Sequence, residues 1–440
     1  MDDLARQQQF KSLYDSALAL AISGESEKAE LGFDQAAEFA PDLWCSEAER
    51  LFNEDHDLAI HHLAKALEFS KSGFVRAIVL NDMGRIYARR GQNKEALELF
   101  KQALSSNPGH PGIMTNTGLV NRWLGNLVEA ERWLTRALNQ NPWESAAALE
   151  LAFVKMLGGN YPDGFKLYEC RFRVPGGALH KLECDKPEWN GSNGKRLFVY
   201  GEQGSGDIFL MLRYAKLIKE MGIHQTWGVH NSMLPLISTM PEIDSVIGGD
   251  AQVDDFDCHI PAASLPRMFG TSLETIPEPV CIPKPQPHDY GPGFHVGIVW
   301  RGSKTQNNDS IRSTNLSQWL PVLNVPGVIF HSLQVDEADE ALAYPQIQIE
   351  NKPSDWMDTA RRVCGLDLVI SVDTSMVHLC GSLGVECWCA LHCRPYFVYP
   401  IIKDYCPWYV SVRLFKQKTE FEWQPVFESI AHELKKLTTT

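Results

Sequence analysis

No stretch of this 440-residue chain approaches the ~20 consecutive apolar residues needed to span a bilayer. The longest candidate, LDLVISV from Leu366, has the length of a buried strand, and no integral membrane segment is expected. The amino-terminal MDDLARQQQF has neither a basic n-region nor an apolar h-region, so no signal peptide is expected. A basic excess is also missing: 41 Lys and Arg stand against 55 Asp and Glu, a formal net charge of −14. That argues against nucleic-acid binding as the main function, because phosphate-reading surfaces carry a basic excess, yet it leaves room for a local basic pocket. The eleven cysteines are odd in number and follow no framework spacing, which fits reduced thiols and a cytoplasmic location. No G-x-S-x-G and no P-loop sequence is present. What remains, 44% hydrophobic and 22% charged residues, is an ordinary globular balance. At roughly 150 residues per domain, the length suggests about three structural units.

The first half repeats itself. The segment AIVLNDMGRIYARRGQNKEALELFKQALSSNP (77–108) puts Leu80, Met83, Gly84 and Tyr87 on one helix and Ala96, Phe100 and Ala103 on a second, then ends at Pro108. The pattern returns 34 residues later as Gly118, Ala130, Leu134, Ala137 and Pro142. Other copies carry Ala29, Phe33, Ala36 and Pro41; Ala59, Leu63 and Ala66; and Gly164 with Tyr168. The small residue of the second helix thus falls at 29, 59, 96, 130 and 164. This resembles the tetratricopeptide pattern: small residues let two helices approach, large ones fill the gap to the next hairpin, and Asn-Pro ends the unit. Five units are expected over residues 10–173, the second irregular. They would offer a groove for a protein or peptide partner, or else support the following domain or mediate self-association.

A Gly- and Pro-rich connection over 174–194 leads into a different period. LFVYG (197–201) reads as a buried strand, EQGSGD (202–207) as a glycine-rich turn, and IFLMLRYAKLIKEMG as a helix, the start of a doubly wound α/β unit. Weaker strands are expected at QTWGVH, SVIGG and FDCHIP, completing a first lobe over 195–285. A Pro-rich stretch (276–293) supplies an interlobe linker, 286–293. The second lobe, 294–440, has strands at HVGIVW, VIFHSLQ, LDLVISV and ECWCAL and a last helix at PVFESIAHELKKL. The fold class expected is therefore α plus α/β: a helical solenoid followed by two Rossmann-like lobes, the arrangement of a B-type glycosyltransferase. A dehydrogenase is disfavoured because Gly201, Gly204 and Gly206 follow G-x-x-G-x-G order, not G-x-G-x-x-G, and no clear acid closes a second strand.

Three segments hold candidate chemistry. In ISVDTSMVHLCGSLG (370–384), Asp373, Thr374 and Ser375 stand where a strand hands over to a helix, so hydroxyls and unpaired helix N–H groups make an anion site suited to a sugar-nucleotide diphosphate. His378 lies one turn further on the same face. The plainer alternative is a helix cap at Asp373 or Thr374 with a core histidine. In EQGSGD, Gly204 and Gly206 let backbone approach a ligand, and Asp207 is placed to deprotonate an acceptor hydroxyl, or merely to complement a helix dipole. In VWRGSKTQNNDSIRSTNL (299–316), Arg301, Lys304 and Arg312 are local positive charge able to neutralise a leaving diphosphate without a metal, or are a solvated loop. Asp255 and Asp257, just before an expected strand whose alternation puts both acids on one face, imitate a metal-gripping pair. Cys387, Cys389, His392 and Cys393 imitate a zinc cluster but fit no usual zinc spacing and read better as alternating residues of a short apolar strand; no metal is expected. His61 and His62 are expected to face solvent.

Residues 160–425 resemble bacterial tetratricopeptide proteins fused to a glycosyltransferase domain of the heptosyltransferase type (family 9-type, GT-B), distantly similar to the O-linked N-acetylglucosamine transferases. The runs that carry the resemblance, in order, include YECRFRV, KPEWNGSNGKRLFVYGEQGSGDIFLMLRYAKLI, SLPRMFGTSLETIP, VGIVWRG, IRSTNL, DTARRVCGLDLVISVDTSMVHLCGSLG and CPWYVSVRLFKQ. The resemblance implies metal-independent, inverting sugar transfer from a nucleotide sugar, used as substrate with no further cofactor, to a protein or cell-surface glycan acceptor. By position it implies Asp207 as the base-like acid, Arg312 as the basic residue after the second lobe's first strand, and Asp373, Thr374, Ser375 and His378 as the diphosphate turn. The chain departs from relatives at Arg394-Pro395-Tyr396-Phe397, where a Trp-Arg-Trp-like stretch is common, and in the cysteine-rich strand ECWCAL. A repeat scaffold with a degenerate transferase-like half is the alternative.

Overall fold

The computed structural model describes residues 3–438 apart from 24, 41–42, 44–55, 70–71, 178, 250–254, 280–281, 305–308 and 337. The chain divides into two compact units, residues 1–154 and 155–440.

The first unit is built of helical hairpins: α1 (Asp3–Ile22) with α2 (Ser26–Phe39), α3 (His56–Phe69), α4 (Gly73–Arg89) with α5 (Asn93–Ser106), α6 (Pro111–Trp123) with α7 (Leu127–Gln140), and the start of α8 (Ser145–Leu157). The first helix of the second repeat would lie at 41–55, outside the described residues apart from Leu43. Why the repeat needs its small residues is visible in the hairpins. A Cβ on Gly84 would come within 2.6 Å of the Phe100 ring, and one on Gly118 within 2.5 Å of Leu134. Ala96, Phe100 and Ala103 are buried in phase with Ala130, Leu134 and Ala137. The turns of successive hairpins use glycines at positive φ 34 residues apart, Gly91 (78°) and Gly125 (77°), a conformation that side chains with a Cβ resist. His61 is exposed as expected, but His62 is buried and shares a 3.2 Å hydrogen bond with Tyr14. The expectation for His62 failed because it shares the inward face of its helix with Ala59 and Ala66, three and four residues away.

The second unit opens with the end of α8 and α9 (Tyr161–Tyr168), and then holds two parallel sheets. The first contains β1 (Arg196–Tyr200), β2 (His224–Val229), β3 (Ser245–Gly248) and β4 (Cys258–Pro261) in the order β3-β2-β1-β4. The second contains β5 (Phe294–Val299), β6 (Val328–Ser332), β7 (Ile347–Gln348), β8 (Leu368–Val372), β9 (Cys387–Leu391) and β10 (Val412–Lys416) in the order β10-β9-β8-β5-β6-β7. Counted from β5, that is the 3-2-1-4-5-6 order of a doubly wound sheet, with its switch point between β5 and β8. Strands β8 and β9 are buried at every position, as parallel strands covered on both faces must be, so they read as continuous apolar runs. The short β7 and the edge strand β10 were not foreseen as strands.

The helix expected over IFLMLRYAKLIKEMG is two, α10 (Ser205–Met211) and α11 (Tyr214–Glu220). The break falls at Arg213, whose guanidinium bonds the Leu210 carbonyl (2.9 Å) and lies over the rings of Trp408 and Tyr409. Beyond the linker come α12 (Trp356–Cys364), α13 (Ser375–Leu383) and α14 (Gln424–Thr438). No described helix is long and apolar enough to cross a membrane.

Candidate functional site

Two strand-to-helix turns meet at the site. The first follows β1, where Gly204 caps α10 through its carbonyl and Asp207 lies in the first turn of that helix. The second follows β8, where Thr374 caps α13, its hydroxyl accepting from the Met376 N–H at 3.3 Å. The turns touch through Gly206. A Cβ there would lie 3.0 Å from the His378 ring and 3.3 Å from the Ser375 Cα, so the glycine is what allows α10 and α13 to pack so closely. At Gly204 a Cβ would meet nothing nearer than the Asp207 carboxylate at 3.7 Å, so that glycine is not sterically required.

Arg312 reaches the second turn from the loop after β5, across the sheet's switch point. Its guanidinium donates to the Asp373 carbonyl at 3.2 Å, lies 3.8 Å from the Asp309 carboxylate, and rests flat on Gly302. Arg301 is half-buried, with its N–H and carbonyl both bonded to the Gln334 side chain, and Lys304 is exposed on the same loop. The structure therefore brings together Asp207, Gly206, Arg312, Asp373, Thr374, Ser375 and His378. Lys304 stands in solvent, not buried against the turn.

The two acids of the site differ. Burial pushes the Asp207 carboxyl up to about 7, helped by the charges of Glu202 and Asp373 and opposed by the neighbouring Tyr396 hydroxyl. Burial would raise Asp373 as well, but His392, whose Nε2 lies 3.8 Å from the carboxylate, and the Arg312 charge hold it below the usual carboxylate range. The Tyr399 hydroxyl also donates to Asp373 at 3.1 Å. Burial pulls the His378 imidazole down to about 4, so the ring is neutral near pH 7 and pairs with the Tyr409 hydroxyl at 3.2 Å.

Several participants were not singled out from sequence. Arg171 is buried and bonds the Glu202 carboxylate (2.9 Å), Ser264 (2.8 Å) and Glu169 (3.1 Å), which anchors the start of the first turn. Burial pushes the Glu202 carboxyl up against the pull of Arg171. Tyr168 and Tyr396 meet hydroxyl to hydroxyl at 3.1 Å, although 228 residues separate them in the chain. The one signal for Tyr396 was its place in a stretch that departs from the resembling family. Tyr168 was already accounted for as a repeat position.

At the carboxyl ends of β1, β2 and β3 lies a cavity of about 550 Å3, lined among others by Phe198, Tyr200, Gly201, Gly228, His230 and Cys184. His230 ties it to the glycine turn through a 3.0 Å hydrogen bond with the Gln203 carbonyl. The metal imitations resolve differently. Asp255 and Asp257 both pair with Arg196 while Phe256 between them is buried, and Cys387 and Cys389 are interior residues of β9. Among the described residues no cluster of His, Cys, Asp and Glu is arranged to hold a metal ion.

Comparison with known proteins bears mainly on the repeats. A tetratricopeptide repeat family profile matches residues 48–107. Protein FlbA of Caulobacter vibrioides is 23% identical over 402 residues, a match covering 82% of this chain, more than either compact unit, and 67% of FlbA. Photosystem I assembly protein Ycf3 of Synechococcus sp. (strain CC9605) is 28% identical over 102 residues, 22% of this chain, and the match spans 58% of its length. Among solved structures, Pseudomonas aeruginosa PilF is 19% identical and aligns over 50% of this chain and 88% of its own with a TM-score of 0.32. YrrB, described as a TPR protein with an unusual peptide-binding site, is 18% identical over 37% of this chain and 84% of its own, with a TM-score of 0.28. The chain thus carries tetratricopeptide repeats in a helical solenoid, followed in sequence by a parallel-sheet α/β unit.

Proposed function

We propose that the α/β unit is an inverting, metal-independent glycosyltransferase of the two-lobe B type, working in the cytoplasm on a nucleotide sugar, and that the repeats recruit its protein or glycan acceptor. The observation that carries this reading is the meeting of Asp207 with the amino end of α13 through Gly206. A carboxylate that ionises near pH 7 is matched to general-base work. In the reaction, the Asp207 carboxylate takes the proton of the acceptor hydroxyl as its oxygen attacks the anomeric carbon from the face opposite the diphosphate. The new C–O bond forms as the bond to the phosphate oxygen breaks, and the departing nucleoside diphosphate carries away the electron pair. The N–H groups at the start of α13, the hydroxyls of Thr374 and Ser375, and the Arg312 guanidinium would stabilise that charge. The cavity beside the glycine turn is the natural place for the acceptor.

The test is direct: purified protein is incubated with UDP, GDP, ADP and CMP sugars, and both binding and slow donor hydrolysis are followed. Binding with hydrolysis that Asp207→Asn abolishes supports the reading, whereas no binding to any donor overturns it. A second reading, a repeat scaffold whose α/β unit binds a nucleotide sugar without turnover, is favoured by the engagement of Arg312 with Asp373 and Asp309. Binding without hydrolysis, indifferent to Asp207→Asn, would select it.

A further inference from the structure

Asp373 and Arg312 meet at the turn before α13, yet the arginine bonds the acid's carbonyl and not its carboxylate. The Arg312 guanidinium donates to the Asp373 main-chain carbonyl at 3.2 Å. The Asp373 carboxylate accepts from the Tyr399 hydroxyl at 3.1 Å and lies 3.8 Å from Nε2 of His392. His392 Nδ1 accepts from the Arg394 N–H at 3.3 Å, so the neutral ring carries its proton on Nε2, toward the carboxylate. The acid on Arg312's own loop, Asp309, is 3.8 Å away, and its carboxylate accepts from the Ser313 hydroxyl.

A carboxylate beside a departing diphosphate repels it, and an arginine paired directly to that carboxylate has less charge to offer an incoming anion. Here the Asp373 side chain is turned to Tyr399 and His392, and a neutral carbonyl orients the guanidinium. Arg312 Nε is buried and makes no hydrogen bond among the described residues, a donor that a bound oxyanion would satisfy. Tyr399 is fitted to hold the acid. Its side chain is buried, its N–H bonds the Tyr396 carbonyl at 3.0 Å, and burial with the Asp373 charge pushes its phenol well above its ordinary value. The hydroxyl therefore keeps its proton and remains a donor at any working pH.

We infer that Tyr399 and Asp373 are positioning residues for Arg312: the hydroxyl locks the carboxylate, the locked residue presents its carbonyl, and the carbonyl holds the guanidinium at the amino end of α13. Both act through Arg312, and neither needs to touch the nucleotide sugar. Asp373 then has a different part from the one its position implies by resemblance, that of a diphosphate ligand. The turn has a separate brace in the Ser371 and Thr374 hydroxyls, 3.1 Å apart, and in the Thr374 cap on the Met376 N–H. Removing the Tyr399 hydroxyl therefore leaves α13 capped and loosens only the link to Arg312. The inference rests on the transferase reading for the anion that Arg312 meets, but not for the contacts that hold Arg312.

The experiment is a double-mutant cycle on the full chain, Tyr399→Phe against Arg312→Ala, read by calorimetric affinity for UDP, GDP and ADP. Tyr399→Phe should weaken the best-bound diphosphate about tenfold, and by less than about twofold once Arg312 is alanine. An unchanged affinity in Tyr399→Phe overturns the inference. So does an equal loss in both backgrounds, because a merely structural tyrosine acts whether or not Arg312 is present. A second readout needs no ligand: the NMR signal of the Arg312 Nε–H, identified by its disappearance in Arg312→Lys. Its exchange with solvent should be about tenfold faster in Tyr399→Phe, and exchange at the wild-type rate overturns the inference. If Tyr399→Phe does not fold, Asp373→Ala, which keeps the carbonyl but removes what locks it, decides by the same criteria. If no diphosphate binds, the transferase reading falls and the exchange rate alone decides the positioning, so the two failures are distinct.

Discussion

The turn after β1 and the turn after β8 are built to one plan: a buried strand, a short polar stretch, and a helix whose first residues face the other turn. Their acids have opposite fates. Asp207 has the Tyr396 hydroxyl nearby but faces Glu202 and Asp373, so burial wins and the carboxyl is pushed up to about 7. Asp373 is the more deeply buried of the two, yet the Arg312 charge, the Tyr399 hydroxyl and the neighbouring His392 offset that burial, and its carboxyl lies below the usual carboxylate range. Where two carboxylates in one site are driven apart, the raised one is suited to moving a proton and the lowered one to holding structure. That division of labour is the central claim.

The largest break in the comparison should come from Asp207→Asn. If donor turnover is found, it should fall by about 10²- to 10⁴-fold, the range of a general base, with donor binding retained. The same change should not weaken the fold at pH 8. A carboxyl raised to about 7 contributes most to stability below its unfolded value of 3.8, and that contribution is gone once pH passes 7. Thermal melts of both proteins at pH 5 and pH 8 check the sign: the variant should gain on the wild type as pH rises.

Arg312→Ala should cost about a hundredfold in kcat/KM, the loss expected when a donor aimed at a departing oxyanion is removed. Lysine should rescue it only in part, lacking the planar fork that spans Gly302 to reach the Asp373 carbonyl.

The two glycines of the first turn give a sharper pair. Gly206→Ala drives a methyl to 3.0 Å from the His378 ring and 3.3 Å from the Ser375 backbone, and should reduce turnover on the order of tenfold by parting the two turns. Gly204→Ala meets nothing nearer than the Asp207 carboxylate at 3.7 Å, an ordinary contact, and should be near neutral.

Asp373→Asn should show itself in stability, at about 1–3 kcal/mol, the cost of leaving buried partners mismatched. The sign with pH is the reverse of Asp207. A lowered carboxyl contributes above its unfolded value of 3.8, and the contribution is lost as pH falls through the still lower folded value. Urea denaturation at pH 7 and pH 3 should therefore show the gap between variant and wild type closing in acid.

Legibility differed between the units for a physical reason. A repeat writes its packing into the sequence many times, so Ala96, Phe100 and Ala103 in phase with Ala130, Leu134 and Ala137 expose the hairpins. His62 escaped because its aromatic neighbours, Tyr14 and Phe33, belong to another hairpin. In the α/β unit the fully buried strands and both turns were readable, since each is a local run. The strand β10 was missed because an edge strand shows no uninterrupted apolar run, Arg413 being exposed within it. The surroundings of the acids were not readable at all: Tyr399 and His392 reach Asp373, and Tyr168 reaches Tyr396, only because the chain has folded. A residue type at a turn announces that chemistry is available; its partners decide which chemistry.

The most direct test is the pH dependence of donor hydrolysis by the full chain, using whichever nucleotide sugar of the UDP, GDP, ADP and CMP panel binds. General-base action by Asp207 predicts a rate that rises through a single ionisation near pH 7, disappears in Asp207→Asn, and in Asp373→Asn keeps that ionisation with its midpoint moved down, one of the opposing charges having gone. A rate that is unaffected by Asp207→Asn, or an ionisation that is lost with Asp373 instead, would contradict it.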